Sequence, residues 1–138
     1  MKQFKIGYTA GVFDLFHVGH LNILNRAKEQ CEYLIVGVST DELVMEYKNK
    51  QPVIPYDERK EIVESIKYVD QVVPQMNRDK FAAWEKLNFN AMFVGDDWKG
   101  HALFEEVERK LNEVGVEVVY FPYTLGVSST IVKEKIKV

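Results

Sequence analysis

Hydrophobic and polar positions change period several times along this chain, and each change marks the edge of an element. Phe4-Lys5-Ile6-Gly7-Tyr8-Thr9-Ala10 reads as a short strand running into Gly11, after which Gly19 to Gln30 places Leu21, Leu24 and Ala27 on one helical face. Tyr33-Leu34-Ile35-Val36-Gly37-Val38 is apolar without alternation, the pattern of a strand covered on both faces. In Ser39-Thr40-Asp41-Glu42 a serine and a glutamate stand three apart, the spacing of a reciprocal helix cap. Lys48-Asn49-Lys50-Gln51-Pro52 predicts a lysine-rich loop, and helical spacing resumes from Asp57 to Val69 through Ile62, Val63, Ile66 and Val69. Strands are predicted at Gln71 to Pro74, Ala91 to Gly95 and Val116 to Phe121. Helices at Lys80 to Leu87 and Leu103 to Val114 separate them, and a last helix starts near Ser128. Strands alternating with helices imply right-handed crossovers and an α/β fold, a doubly wound five-stranded parallel sheet with its ligand crevice at the carboxyl ends of the strands.

Composition narrows the class. A length of 138 residues suits one domain, 1–138, and 46% hydrophobic with 28% charged residues is an ordinary globular mixture. The 18 Lys and Arg against 21 Asp and Glu give a net charge of −3, which supplies no global reason to bind nucleic acid or an anionic membrane. Any anion must therefore be held by a local cluster. The apolar run from Tyr33 to Val38 is far shorter than the roughly 20 residues that span a bilayer. The start, Met1-Lys2-Gln3-Phe4, lacks a signal-peptide pattern, so the expected address is the cytoplasm. The single cysteine, Cys31, makes neither an internal disulfide nor a zinc site alone and reads as a packed residue.

The chemistry gathers after the first strand. Gly11-Val12-Phe13-Asp14-Leu15-Phe16-His17-Val18-Gly19-His20 holds two of the chain's three histidines, spaced three apart at a helix start. That spacing puts both imidazoles on one face, and Gly19 lets a ligand approach backbone amides where the helix dipole favours an anion. The geometry suits a phosphate. A zinc site lacks its third ligand, because His101 lies in another loop with no cysteine near.

This segment resembles the signature of the HxGH nucleotidyltransferase superfamily. Ser39-Thr40-Asp41-Glu42, Lys48-x-Lys50, Glu58-Arg59-Lys60, Tyr68-Val69-Asp70, Gly95-Asp96-Asp97-Trp98-Lys99-Gly100 and Gly126-Val127-Ser128-Ser129-Thr130 are most similar to its cytidylyltransferases. The likeness covers nearly the whole chain. It implies a Rossmann-like fold, often a homodimer, that joins CTP to a phosphorylated alcohol such as glycerol 3-phosphate and releases pyrophosphate, usually with Mg²⁺. Four positions depart from the family pattern. Tyr123 and Leu125 stand where arginine and glutamate are usual, Val12 where threonine is common, and Lys67 where arginine precedes Tyr-Val-Asp. The contacts of those family side chains do not carry over.

The chemistry implied needs alignment and charge neutralisation more than a strong base, since a phosphate oxygen is already a competent nucleophile near neutral pH. His17 and His20 are the expected donors to charge building on the α-phosphate and the departing pyrophosphate. Their protonation is open, because a helix N-terminus disfavours imidazolium and a triphosphate favours it. Lys48 and Lys50 are expected to neutralise acceptor and α-phosphate. Arg59, a cation in the first turn of a helix, is expected to meet an anionic ligand or a neighbouring carboxylate. Ser128, Ser129 and Thr130 lack Glu or Gln three residues on, and with Gly126 they are expected at the β- and γ-phosphates, with Tyr123 also at the nucleotide. Val12, Phe13, Asp14 and Gly19 are expected to line the nucleotide, with Asp14 either orienting His17 or meeting the metal through water. Asp97 and Trp98 are expected at base or ribose, and Lys80 at the acceptor phosphate.

Alternatives from other classes are an adenylyltransferase using ATP on the same cradle and a nucleotide sensor without turnover. A signalling receiver domain shares the length and strand order but calls for acidic residues after the first strand, where this chain has Gly11 and the paired histidines.

Overall fold

A computed structural model describes residues 2–96, 99–122 and 129–136. Its strands are β1 (Phe4–Gly11), β2 (Cys31–Ser39), β3 (Gln71–Gln75), β4 (Ala91–Gly95) and β5 (Glu117–Phe121). The helices are α1 (Val18–Gln30), α2 (Asp41–Lys48), α3 (Tyr56–Glu64), α4 (Lys80–Leu87), α5 (Ala102–Glu113) and α6 (Ser129–Ile136). The strands form one sheet in the order β3-β2-β1-β4-β5, and every pairing is parallel. From β1 the chain winds outward through β2 to β3, then returns to β4 on the other side. The carboxyl ends of β1 and β4 therefore flank the switch point where such sheets hold ligands.

Period-two alternation on the strands divides the core into two layers. One face of β1 and β2 packs with Leu24 and Ala27 of α1 and Val63 of α3, through Leu34, Val36 and Val38. The other presents Tyr8, Ile35 and Met92 to Phe104 and Leu111 of α5 and to Trp84 of α4. The sheet is covered on both sides, which explains why β2 reads as an unbroken apolar run. Asp70 explains the Tyr-Val-Asp motif. Its Oδ2 accepts from the Leu34 amide at 2.8 Å and from the Lys28 ammonium at 2.6 Å, tying the entry of β3 to the start of β2 and the end of α1.

Two predicted elements end elsewhere. The α3 helix stops at Glu64, not Val69, because Ser65 closes the last turn while Ile66 and Val69 still pack on the core from turn backbone. The cap of α2 is Thr40, whose side chain accepts from Leu43, and not the Ser39/Glu42 pair. Ser39 is the buried last residue of β2, where its hydroxyl accepts from Gln75.

One contact crosses the sheet. A Cβ on Gly37 would lie 2.3 Å from the Tyr8 hydroxyl, so the missing side chain on β2 is what lets the phenol of β1 cross it and reach Gln75 on β3 at 3.4 Å. Gly37→Ala should cost about 1–3 kcal/mol by overpacking, read as a lower urea midpoint at unchanged slope. A midpoint equal to wild type would show that Tyr8 moves aside freely.

Candidate active site

The two histidines cap one helix reciprocally. His17 is the N-cap of α1, and its Nδ1 accepts from the Gly19 amide at 3.1 Å, while the His17 amide donates to Nδ1 of His20 at 3.2 Å. This is the reciprocal arrangement usually made by a serine and a glutamate three residues apart. The Gly19 amide, one of those at the helix start expected to face an anion, is thus taken by the cap. A nitrogen that accepts a hydrogen bond carries no proton, so each neutral imidazole bears its proton on Nε2. The rings stack with centroids 4.0 Å apart. Phe13 and Phe16 flank His20 at 5.3 and 5.2 Å, and burial there, with the neighbouring His17, pushes its pKa down to about 4 against the opposing charge of Asp14. Burial also lowers His17. Both are therefore neutral donors at pH 7.

The loop carrying them is strained and tied down. Phe13 and Leu15 have φ of 56° and 49°, left-handed conformations uncommon for such bulky residues. Between them Asp14 accepts from the amides of Val53 and Ile54 at 2.8 and 2.9 Å. Arg59 is only 1% exposed. Its Nε donates to the Ile54 carbonyl at 2.8 Å, its Nη1 to the carbonyls of Val12 and Ser39 at 2.7 Å each, and its Nη2 to Asp41 at 2.5 Å. The expected neighbouring carboxylate is there. The expected ligand contact is not, because a buried guanidinium held by four protein oxygens has no face left for substrate.

A cleft of about 230 Å³ opens above this framework, lined by Val12, Phe13, Asp14, His20, Val44, Lys48, Lys50, Gln51, Pro52, Thr130 and Lys133. It joins side chains from the β1–α1 loop, from α2 and the segment after it, and from α6. Lys48 closes α2, and Asn49 turns the chain in the left-handed region so that Lys50 follows in the loop. Partial burial and then the charges of Lys50 and Lys133 lower the Lys48 pKa, opposed by Asp14. The sequence reading missed Lys133. It stands one turn beyond Thr130, with Nζ 3.7 Å from Asp14 Oδ2, and three-residue spacing after the hydroxyl was the available signal. Three lysines thus face one cleft whose carboxylate already accepts from two amides, an arrangement suited to a polyanion.

The sequence model of a family described as cytidylyltransferase-like matches residues 8–135. The chain belongs to this family. A glycerol-3-phosphate cytidylyltransferase of Bacillus subtilis (strain 168) is 40% identical over 135 residues, covering 93% of this chain and 94% of its own. An FAD synthase of Thermococcus sibiricus is 37% identical over 118 residues, covering 83% and 78%. Among solved structures, a lipopolysaccharide core biosynthesis protein from Thermoplasma volcanium superposes with a TM-score of 0.72 at 23% identity, covering 88% of this chain and 97% of that one, a likeness of fold.

Not every expected residue of this cytidylyltransferase-like chain reaches the cleft. Lys80, the first residue of α4, donates to Gln75 Oε1 at 2.8 Å and lines a separate groove of about 220 Å³ with Tyr8, Val73 and Leu87. Burial and the charge of Arg78 push its pKa down to about 8. Among the described residues none lines both cavities. Asp97, Trp98, Tyr123, Gly126 and Ser128 lie outside the described residues, as does the side chain of Ser129.

The histidine chemistry has a measurable consequence. A pKa lowered from 6.5 to about 4 means that the unfolded chain takes up the His20 proton first. Stability from this group is whole above pH 6.5 and is lost as pH falls toward 4, by up to about 1.4 kcal/mol per pH unit. NMR titration should find the His20 ring neutral at pH 5 with its proton on Nε2, and urea midpoints should fall between pH 6.5 and 4.5. A ring that titrates near 6.5 would contradict the assigned burial, and a neutral ring protonated on Nδ1 would contradict the cap.

Proposed function

We propose that the protein joins CTP to glycerol 3-phosphate, or a closely similar phosphorylated alcohol, giving the CDP-alcohol and pyrophosphate. The observation that carries this reading is the meeting of His20, Lys48, Lys50, Thr130 and Lys133 around one cleft. The names of relatives at about 40% identity point the same way. A phosphate oxygen of the acceptor attacks the α-phosphorus of CTP. The new P–O bond forms as the bond to the β-phosphate oxygen breaks, and pyrophosphate leaves with that electron pair. The nucleophile is already ionised, so no base is needed, and the demand falls on groups that hold charge in place.

Each residue has a part that follows from its geometry. His20 lines the cleft and His17 stacks on it; their capping bonds leave Nε2–H as the donor of each ring and fix the rings before substrate arrives, the condition under which such donors lower a barrier. Neutral imidazoles suit this, since they lose no proton as charge shifts between α-phosphate and leaving group. Lys48 and Lys50 screen the repulsion between acceptor phosphate and triphosphate, and Lys133 with Thr130 receives the departing end. Mg²⁺, if it enters, supplies further charge neutralisation. Among the described residues no group of three or more His, Cys, Asp or Glu forms a cage for it, so it is proposed to travel with the triphosphate. No described helix is long and apolar enough to cross a membrane.

The FAD synthase relatives favour one alternative, transfer of an adenylyl group from ATP. Pyrophosphate release measured with each of four nucleoside triphosphates against a panel of phosphorylated alcohols and flavin mononucleotide should show turnover with CTP and glycerol 3-phosphate. Preference for ATP would overturn the choice of nucleotide, and binding without turnover would leave a sensor. His17→Asn keeps an N-cap acceptor but removes the ring donor, so a folded variant with kcat lower by about 10² is expected. Turnover within a few-fold of wild type would remove His17 from the step.

A further inference from the structure

The carboxylate of Asp14 lies at the bottom of the cleft, 5% exposed, yet its bonds run to the protein. Oδ2 accepts from the Val53 amide and Oδ1 from the Ile54 amide, both just beyond Lys48 and Lys50 in the chain. At the same residue Arg59 takes the Ile54 carbonyl, and the same guanidinium holds the Val12 carbonyl. The lysine loop is thus gripped at an N–H and at a C=O by groups that are themselves tied to the β1–α1 loop. Oδ2 also faces the Lys133 ammonium at 3.7 Å, which brings in α6. A carboxylate placed among phosphates repels them unless its charge is otherwise matched, and here two amides and an ammonium match it.

We propose that Asp14 is a positioning residue, the strut that holds the lysine loop and Lys133 at the cleft, rather than a contact to nucleotide or metal. The left-handed turns at Phe13 and Leu15 are the local strain that this bond network holds in place. Glutamate keeps the charge but adds a methylene, which moves the oxygens off two amides that are adjacent in the chain. The inference rests on the proposed transfer reaction for its kinetic part only.

Amide hydrogen exchange and steady-state kinetics on wild type, Asp14→Asn and Asp14→Glu test it. In wild type the amides of Val53 and Ile54 should exchange at least about tenfold more slowly than that of Gln51. Both variants should lose that protection, with kcat/KM for CTP down about 10² and the Mg²⁺ midpoint of activity unchanged. Unprotected amides in wild type overturn the proposal even if neither variant folds. So does a variant that keeps the protection, or one whose Mg²⁺ midpoint shifts tenfold while protection is kept. Protection lost on substitution, in a wild type that turns over no triphosphate, would support the strut and refute the transfer reaction separately.

Discussion

The carboxyl edge of the sheet depends on one buried cation. Arg59 sits in the interior with no water to solvate it, and such a charge is tolerable only when its donors are met and its charge is paired. Three carbonyls and Asp41 meet those needs, and they come from the end of β1, the end of β2, the segment before α3 and the first turn of α2. These loops are the ones that must agree in position if a ligand is to touch all of them. The cost of burying the guanidinium becomes a constraint on loop geometry, because any loop that drifts leaves an uncompensated donor.

On that frame the paired histidines reconcile two demands that conflict on paper. A helix start repels a cation, while a polyanion attracts one. Neutral rings whose Nδ1 atoms cap the helix satisfy the first, and the Nε2–H donors left by that tautomer serve the second. The positive charge of the cleft is carried instead by lysines on other segments, where the dipole of α1 does not oppose them. Local backbone chemistry and recognition use different nitrogens of the same ring.

The fold was legible because its signals are short-range. Apolar runs at β2 and β4 and the glycine-flanked histidine segment each announce themselves within a few residues. What escaped is long-range or has an ambiguous local signal. Arg59 reads as a cation awaiting either a ligand or a carboxylate until its partners, distant in the chain, are in view. Asp14, expected at the nucleotide, likewise bonds to two amides distant in the chain. Ser39 matched the capping spacing with Glu42, and only the burial of β2 through its last residue leaves the cap to Thr40. Lys133 has only its three-residue spacing from Thr130 to mark it until α6 is docked beside the β1–α1 loop.

The Tyr8 phenol lying across Gly37 links positions far apart in sequence but adjacent in space. Neither can change size alone without a clash or a void, so among descendants of this chain the two sites should drift as a pair. The hydroxyl also meets the amide group of Gln75, the side chain that holds Lys80, so a shift in that pair would be felt at the groove beside α4 before it reached the histidines.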